Sequence, residues 1–166
     1  MTAIADRYRT RADAFQRKVA AVPPGQWSNP SPCEGWNARD VVSHIIDMHG
    51  VMLRPLDRQL SPAPSVHDDP LGAFTSARAD VEAVLDDPEL AGIEDNSPVG
   101  RLTVEQHIDQ VISADLVIHG WDLARATGQE DRIDPAEIDR VSKLWDGVFM
   151  VLGGRRCGRK ACWARR

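Results

Sequence analysis

The sequence predicts an all-α protein in which four main helices and an additional C-terminal helix pack as a bundle. Apolar residues recur every three to four positions through most of the 166-residue chain, which is the period of an amphipathic helix. Residues that favour helix starts precede several of these runs. No segment alternates apolar and polar residues between turn signals, so we expect little or no sheet.

A Pro-rich loop separates the first two helices. The first helix ends at Pro23-Pro24, and segment 26–36 is too broken to be helical but has two Trp residues that can pack on the bundle. Asn37 can cap the second helix, which runs towards Leu60 unless Pro55 kinks or shortens it. The apolar positions of the first helix are Ile4, Tyr8, Ala12, Phe15 and Val19.

The third helix follows a polar connector. Asp69 can cap it, Pro70 suits its first position, and its apolar pattern extends through Leu85. Gly, Asn and Pro residues in 88–100 then predict a long loop.

The fourth helix has the clearest pattern in the chain. Thr103 and Gln106 form a capping-box sequence, and Gly128 suits the residue that ends the helix. A fifth helix is predicted to start at Asp134-Pro135. The apolar stripe of the fourth helix consists of Val104, Ile108, Val111, Ile112, Ile118, Leu123 and Ala126.

The C-terminal residues differ in composition from the rest. Residues 153–166 have no helical period and no acidic side chain. We therefore divide the chain into one domain, 1–152, and a basic tail, 153–166, that is disordered or non-native. Its two cysteines, without a nearby His, make a poor zinc site.

Charge and composition argue against some classes of partner and cellular location. The chain has 25 acidic and 20 basic residues, and six of the basic ones lie in the tail, which leaves 14 against 25 in the body. This acidic body argues against nucleic acid or an anionic membrane as partner. Three cysteines, no apolar signal segment and no run of membrane-spanning length predict a soluble cytoplasmic protein.

Three ionisable residues fall on the apolar stripe of the fourth helix. Asp115, His119 and Asp122 all lie near its centre at 100° per residue, and burying an unpaired carboxylate costs several kcal/mol. They could be hydrogen-bonded core residues, but Asp115 and His119, one turn apart, could also bind one cation together. Bundles build metal sites from such inward ligands on neighbouring helices.

The third ligand must come from another helix. The second helix offers His44 and His49, which point in different directions. The helical wheel favours His49, but the pattern by itself leaves the choice open. His107 and His67 are weaker candidates, because one lies at the stripe edge and the other in the connector.

Two segments carry a family resemblance. PCEGWNARDVVSHI (32–45) and DLVIHGWDLARATG (115–128) resemble the N-terminal metal-binding domain of mycothiol-dependent maleylpyruvate isomerases, which belongs to the DinB-like bundle superfamily, over residues 5 to 150. The resemblance implies a DinB-like four-helix bundle with a divalent metal, most readily Zn with Ni or another ion as alternatives. By position, the ligands it implies are His44, Asp115 and His119.

The chain departs from the family pattern in two respects. The isomerases have Glu at the position of Asp115, so the shorter side chain draws the metal towards the fourth helix. They also have a second C-terminal domain that contributes to the active site, and we expect no counterpart of it in this chain. The resemblance therefore supports the metal more strongly than the isomerase reaction.

The resemblance also implies chemistry. The metal would activate either the sulfur of mycothiol, a small thiol, or a substrate oxygen in a transferase or isomerase reaction on a small electrophile. The alternatives are a metal-binding bundle without thiol chemistry and a structural dimer with a decayed site; a homodimer is compatible with each.

Other residues of the two segments are weaker candidates for a role in the site. Asp122 would lie outside the ligand set, where it would accept a hydrogen bond from a ligand His or tie helix ends together. Trp36 and Trp121 either form walls of the site or pack in the core and the loop. Arg39 and Arg125 either bind a substrate carboxylate or lie on the helix surface. We expect Cys33 to be a buried small residue, since no neighbour in the sequence would activate its thiol.

Overall fold

The fold is described by a computed structural model that covers residues 2–97 and 100–151, with side chains up to Leu144 in the last helix. The helices are α1 (Ala3–Ala20), α2 (Ala38–Leu53), α3 (Pro70–Leu85), α4 (Pro88–Ala91), α5 (Val104–Gln110), α6 (Ile112–Thr127) and α7 (Pro135–Val151). The all-α prediction is confirmed. The basic tail predicted at 153–166 lies outside the described residues.

Four long helices enclose the core. Helix α1 packs against α3 and α6, and α2 packs against the same two helices, so that α1 and α2 occupy opposite corners of the bundle. Among the described residues, none of the helices has the length and apolar composition needed to cross a bilayer. The largest fully buried side chains include Tyr8, Phe15, Phe74, Ile45, Leu53, Ile108, Ile112 and Leu123.

The predicted helix starts are confirmed by their caps. The side chain of Asn37 accepts from the backbone N–H of Asp40 and that of Asp40 accepts from Asn37, which completes a capping box for α2. Asp69 accepts from the N–H of Gly72 at the start of α3. Such caps satisfy backbone donors that have no partner within the helix. Gly128 ends α6 with a φ of 65°, a left-handed conformation that favours Gly.

The predicted single helix over 104–126 is wrong. The helix is interrupted at Val111, whose φ and ψ are −101° and −73°. Helices α5 and α6 are therefore separate. Hydrogen bonds from the N–H of Val111 to His107 and from that of Asp115 to Val111 continue on both sides of the break. Neither Pro nor Gly occurs between Ile108 and Ala114, so composition does not indicate it.

The predicted long loop at 88–100 is also wrong. Asp87 caps the short helix α4, and an antiparallel pair follows, β1 (Glu94–Ser97) with β2 (Gly100–Thr103). Four residues are too few to display a helical period, and β1 is polar throughout, so neither element has the apolar pattern on which the prediction relied. The second helix is shortened at Pro55 as anticipated, because α2 ends at Leu53 and continues as a 3-10 turn.

Candidate metal centre

Helix α2 directs its two histidines into different environments. His49 is fully buried; its Nδ1 lies 2.7 Å from the carbonyl oxygen of Ile45, and its Nε2 lies 2.9 Å from the hydroxyl of Tyr8. In the neutral ring Nδ1–H therefore donates to Ile45 and Nε2 accepts from Tyr8. Burial lowers the pKa of His49 to about 4. Both nitrogens are engaged, so His49 is a core residue and not a ligand.

His44 instead faces α6. Its Nε2 lies 3.8 Å from Oδ2 of Asp115, and its ring centroid lies 4.8 Å from that of His119 in an edge-on arrangement. The three residues offer ligand atoms that all lie within 4.8 Å of one another. The three residues that the family resemblance implies as ligands thus lie close together.

Burial differs among the three side chains. The side chain of His44 is 29% exposed, whereas those of Asp115 and His119 are 11% and 13% exposed. An open pocket of about 350 Å³ lies beside His44, with Gly35, Trp36, Asp40, Ser43 and Asp47 as its other lining residues. A small molecule could therefore approach His44 from the α2 side.

Asp122 lies directly behind His119. Nδ1 of His119 is 2.9 Å from Oδ2 of Asp122, so the neutral imidazole donates from Nδ1 and keeps Nε2 as an acceptor. Asp122 is only 4% exposed. This is the geometry by which an outer carboxylate fixes the tautomer of a metal-binding histidine.

The buried carboxylates of Asp115 and Asp122 are paired with histidines rather than with Lys or Arg. In the described part of the chain, the ion-pair partners of Asp115 and Asp122 are His44 and His119, and neither has a Lys or Arg partner. Asp109 shows the contrast, because it accepts from two arginines. A buried carboxylate without a cation is costly, so this region of the bundle favours a bound positive charge.

Sequence reasoning missed the position of Cys33. Its Sγ lies 3.3 Å from Oδ2 of Asp122, and Cys33, His119 and Asp122 form a second group with donor atoms within 4.8 Å of one another. Cys33 is on the loop before α2, and Asp122 is on α6. Because the contact depends on how an irregular loop folds back, no periodic signal in the sequence could have revealed it.

The two Trp residues occupy different surroundings. The ring of Trp36 lies 4.9 Å from that of His44 and 5.9 Å from that of His119, so it forms one wall of the group. Trp121 is half-buried and lies under the guanidinium of Arg125, which also pairs with Asp131.

Neither Arg39 nor the other histidines join the group. Arg39 donates to the carbonyl oxygens of Val66 and His67 and stacks over Trp27, so it anchors the connector. The side chain of His67 is exposed, and His107 is half-buried on α5. Within the described residues, neither histidine belongs to a group of potential metal ligands.

Comparison with known proteins agrees with this architecture. The family model of the mycothiol maleylpyruvate isomerase N-terminal domain matches residues 8–94, which include His44. Two proteins of Mycobacterium tuberculosis, from strains CDC 1551 / Oshkosh and ATCC 25618 / H37Rv and both described as uncharacterized, are 28% identical over 123 residues. The match covers 74% of this chain and 66%, just under two thirds, of each relative. No solved structure matches the chain.

The family model covers part of the bundle and includes His44 of the candidate centre. The matched region spans most of α1 and all of α2, α3 and α4, and the structure adds α6, on which Asp115 and His119 lie. The helical bundle and its groups of potential ligands are consistent with a DinB-like metal-binding domain. The chain belongs to the mycothiol maleylpyruvate isomerase N-terminal domain family.

Proposed function

We propose that this protein is a metal-dependent enzyme that uses a low-molecular-weight thiol, of the mycothiol type, as an S-transferase or isomerase of a small electrophile. The supporting observation is the convergence of His44, Asp115 and His119, whose ligand atoms lie within 4.8 Å of one another between α2 and α6. Two imidazoles and one carboxylate are a common ligand set for catalytic zinc and leave a coordination position open.

The residues fit a divalent cation. His44 and His119 can each offer a neutral nitrogen, and the carboxylate of Asp115, which is buried beside them, has no Lys or Arg partner among the described residues. A divalent ion would offset the negative charges of Asp115 and Asp122 together. Zinc suits this nitrogen and oxygen donor set, as do nickel and cobalt.

The proposed thiol chemistry depends on the positive charge of the bound metal. When bound, the metal would lower the pKa of a thiol and so supply a thiolate at neutral pH. The exposed side of His44 and the pocket beside it give the thiol its path, and Trp36 covers the histidine rings on one side. In S-transfer the sulfur forms a bond to the electrophilic carbon, and the thiol proton goes to the neighbouring carbon or to the leaving group.

Metal analysis tests the site. We expect purified protein to bind about one divalent ion per chain and His119→Ala to lose it, because that substitution removes a ligand. His67→Ala is the matched control, since His67 is exposed and outside the group. Unchanged metal content in His119→Ala would refute the site.

A second measurement tests the thiol. Metal-loaded protein should show a higher unfolding temperature with mycothiol than with glutathione, because a ligand that binds only the folded state stabilises it. Metal-loaded protein that responds to neither thiol would instead be a metal-binding bundle without thiol chemistry.

A further inference from the structure

The Pro-rich loop before α2 is tied to α6 by two hydrogen bonds. Nδ2 of Asn29 donates to the carbonyl oxygen of Ala126 at 3.0 Å, and the Cys33 thiol lies 3.3 Å from Oδ2 of Asp122. The N–H of Ser31 donates to the carbonyl oxygen of Trp36, which closes the loop on itself. The loop therefore forms an ordered cover over one side of the candidate metal centre.

A single oxygen atom of Asp122 receives two hydrogen bonds. Oδ2 accepts from the thiol of Cys33 at 3.3 Å and from Nδ1–H of His119 at 2.9 Å. A carboxylate held by two donors has little freedom to rotate. Because Asp122 is 4% exposed, water can scarcely replace either donor.

We propose that Cys33 is a positioning residue of the metal centre, acting through Asp122 on His119. The proposal rests on the proposed function, since it presumes a metal bound by His119. The thiol holds the carboxylate, and the carboxylate holds the imidazole so that Nε2 is available to the metal.

This role differs from direct ligation. The potential donors of Cys33, Asp122 and His119 are close enough to hold an ion themselves. However, Cys33 and His119 both donate towards the same oxygen of Asp122. In that arrangement the thiol is a hydrogen-bond donor, whereas a metal-bound cysteine is a thiolate that has no proton to donate. A positioning role therefore requires only the two hydrogen bonds to Asp122 that the structure shows.

Zinc affinity in the presence of a competing chelator tests the proposal. Because the tail contains Cys157 and Cys162, the background protein is the full chain with C157S and C162S. In this background, Cys33→Ala should weaken zinc binding about tenfold, at the low end of outer-residue effects. Cys33→Ser keeps an O–H donor and should bind within about twofold of the background. Each variant is first shown to be folded by thermal unfolding in chelator.

The outcomes separate this inference from the proposed function. If the background protein binds no zinc, the proposed function fails and this inference fails with it. If it binds zinc and Cys33→Ala binds equally well, only the role of Cys33 is refuted. Equal weakening by Cys33→Ala and Cys33→Ser would point to packing rather than to the hydrogen bond, and would also refute it.

Cobalt spectroscopy distinguishes positioning from ligation. With Co²⁺ in the site, a thiolate ligand gives a sulfur-to-cobalt charge-transfer band in the near ultraviolet. We expect the background protein to lack this band, because Cys33 donates to Asp122. A band that disappears in Cys33→Ser would make Cys33 a ligand and would overturn the positioning role.

Discussion

The imidazole ring of His44 meets that of His119 edge-on across the contact between α2 and α6, with ring centroids 4.8 Å apart. The two rings differ in access, since the side chain of His44 is 29% exposed and that of His119 is 13% exposed. One ring therefore lies at the solvent side of the candidate centre and the other lies deeper in the bundle. This asymmetry determines how each ligand should respond to substitution.

Replacing His44 should separate metal binding from folding. The side chain of His44 is partly exposed, whereas that of His49 is fully buried in the core. His44→Gln should therefore change the free energy of unfolding of metal-free protein by less than about 1 kcal/mol. Zinc affinity should fall by roughly 100-fold or more, beyond the range for outer residues. Chelator competition and urea unfolding measure the two effects, with His67→Gln as a control that keeps both.

Asp115→Asn should have opposite effects with and without metal. In chelator, the variant should be more stable by about 1 kcal/mol, because it removes a buried charge that has no Lys or Arg partner among the described residues. With zinc at about 100 times its dissociation constant, the native protein gains about 2.7 kcal/mol that the variant largely loses. Urea unfolding in both conditions gives the comparison.

A matched control is available on α2. Asp47 is exposed, so Asp47→Asn should change the free energy of unfolding by less than about 0.5 kcal/mol in either condition. If Asp115→Asn destabilises metal-free protein, the carboxylate is compensated by protein groups and the need for a cation disappears.

The fold was predictable where local chemistry determines it. Caps at Asn37, Asp69 and Thr103 fix helix starts through hydrogen bonds within a few residues, and these starts agree with the structure. The break at Val111 was not predictable, because it involves no Pro or Gly and keeps hydrogen bonds on both sides. Elements of four residues, such as α4, are too short for periodicity to detect.

The candidate site was predictable only in part. Helical spacing placed Asp115, His119 and Asp122 on one inward face, where Asp115 and Asp122 are buried and His119 is half-buried. The choice between His44 and His49 depends on how α2 is rotated against α6, which one helix cannot reveal. The family resemblance supplied His44, and the wheel would have chosen a core residue whose nitrogens are both occupied.

His49 should make stability depend on pH. Its folded pKa of about 4 lies below the ordinary 6.5, mainly because of burial, although the Ile45 carbonyl and the charges of Asp115 and Asp80 oppose the shift. The Tyr8 hydroxyl also faces the ring. The unfolded chain binds more protons between these pKa values, so this stability is complete above pH 6.5 and is lost as the pH falls towards 4. The loss is about 3 kcal/mol.

Urea unfolding in chelator from pH 8 to pH 4 measures this contribution. Other carboxylates also titrate in this range, so the relevant quantity is the difference in slope between native protein and His49→Gln. The slope should become shallower in His49→Gln and stay unchanged in His67→Gln, whose imidazole is exposed. Equal slopes in all three proteins would mean that His49 is not held neutral by burial.

Helix α7 should depend on a charge network for its attachment. Asp109 on α5 accepts from Arg7 at 2.8 Å and from Arg140 of α7 at 2.7 Å. Asp109→Asn leaves two arginines without their carboxylate and should lower the free energy of unfolding by roughly 2 kcal/mol, below the 3–5 kcal/mol of a fully buried pair because both arginines are partly exposed. Asp139→Asn breaks the exposed Asp139–Lys143 pair and should cost less than about 0.5 kcal/mol. Equal losses in the two variants, measured by urea unfolding, would show that partial burial of the Asp109 network adds nothing.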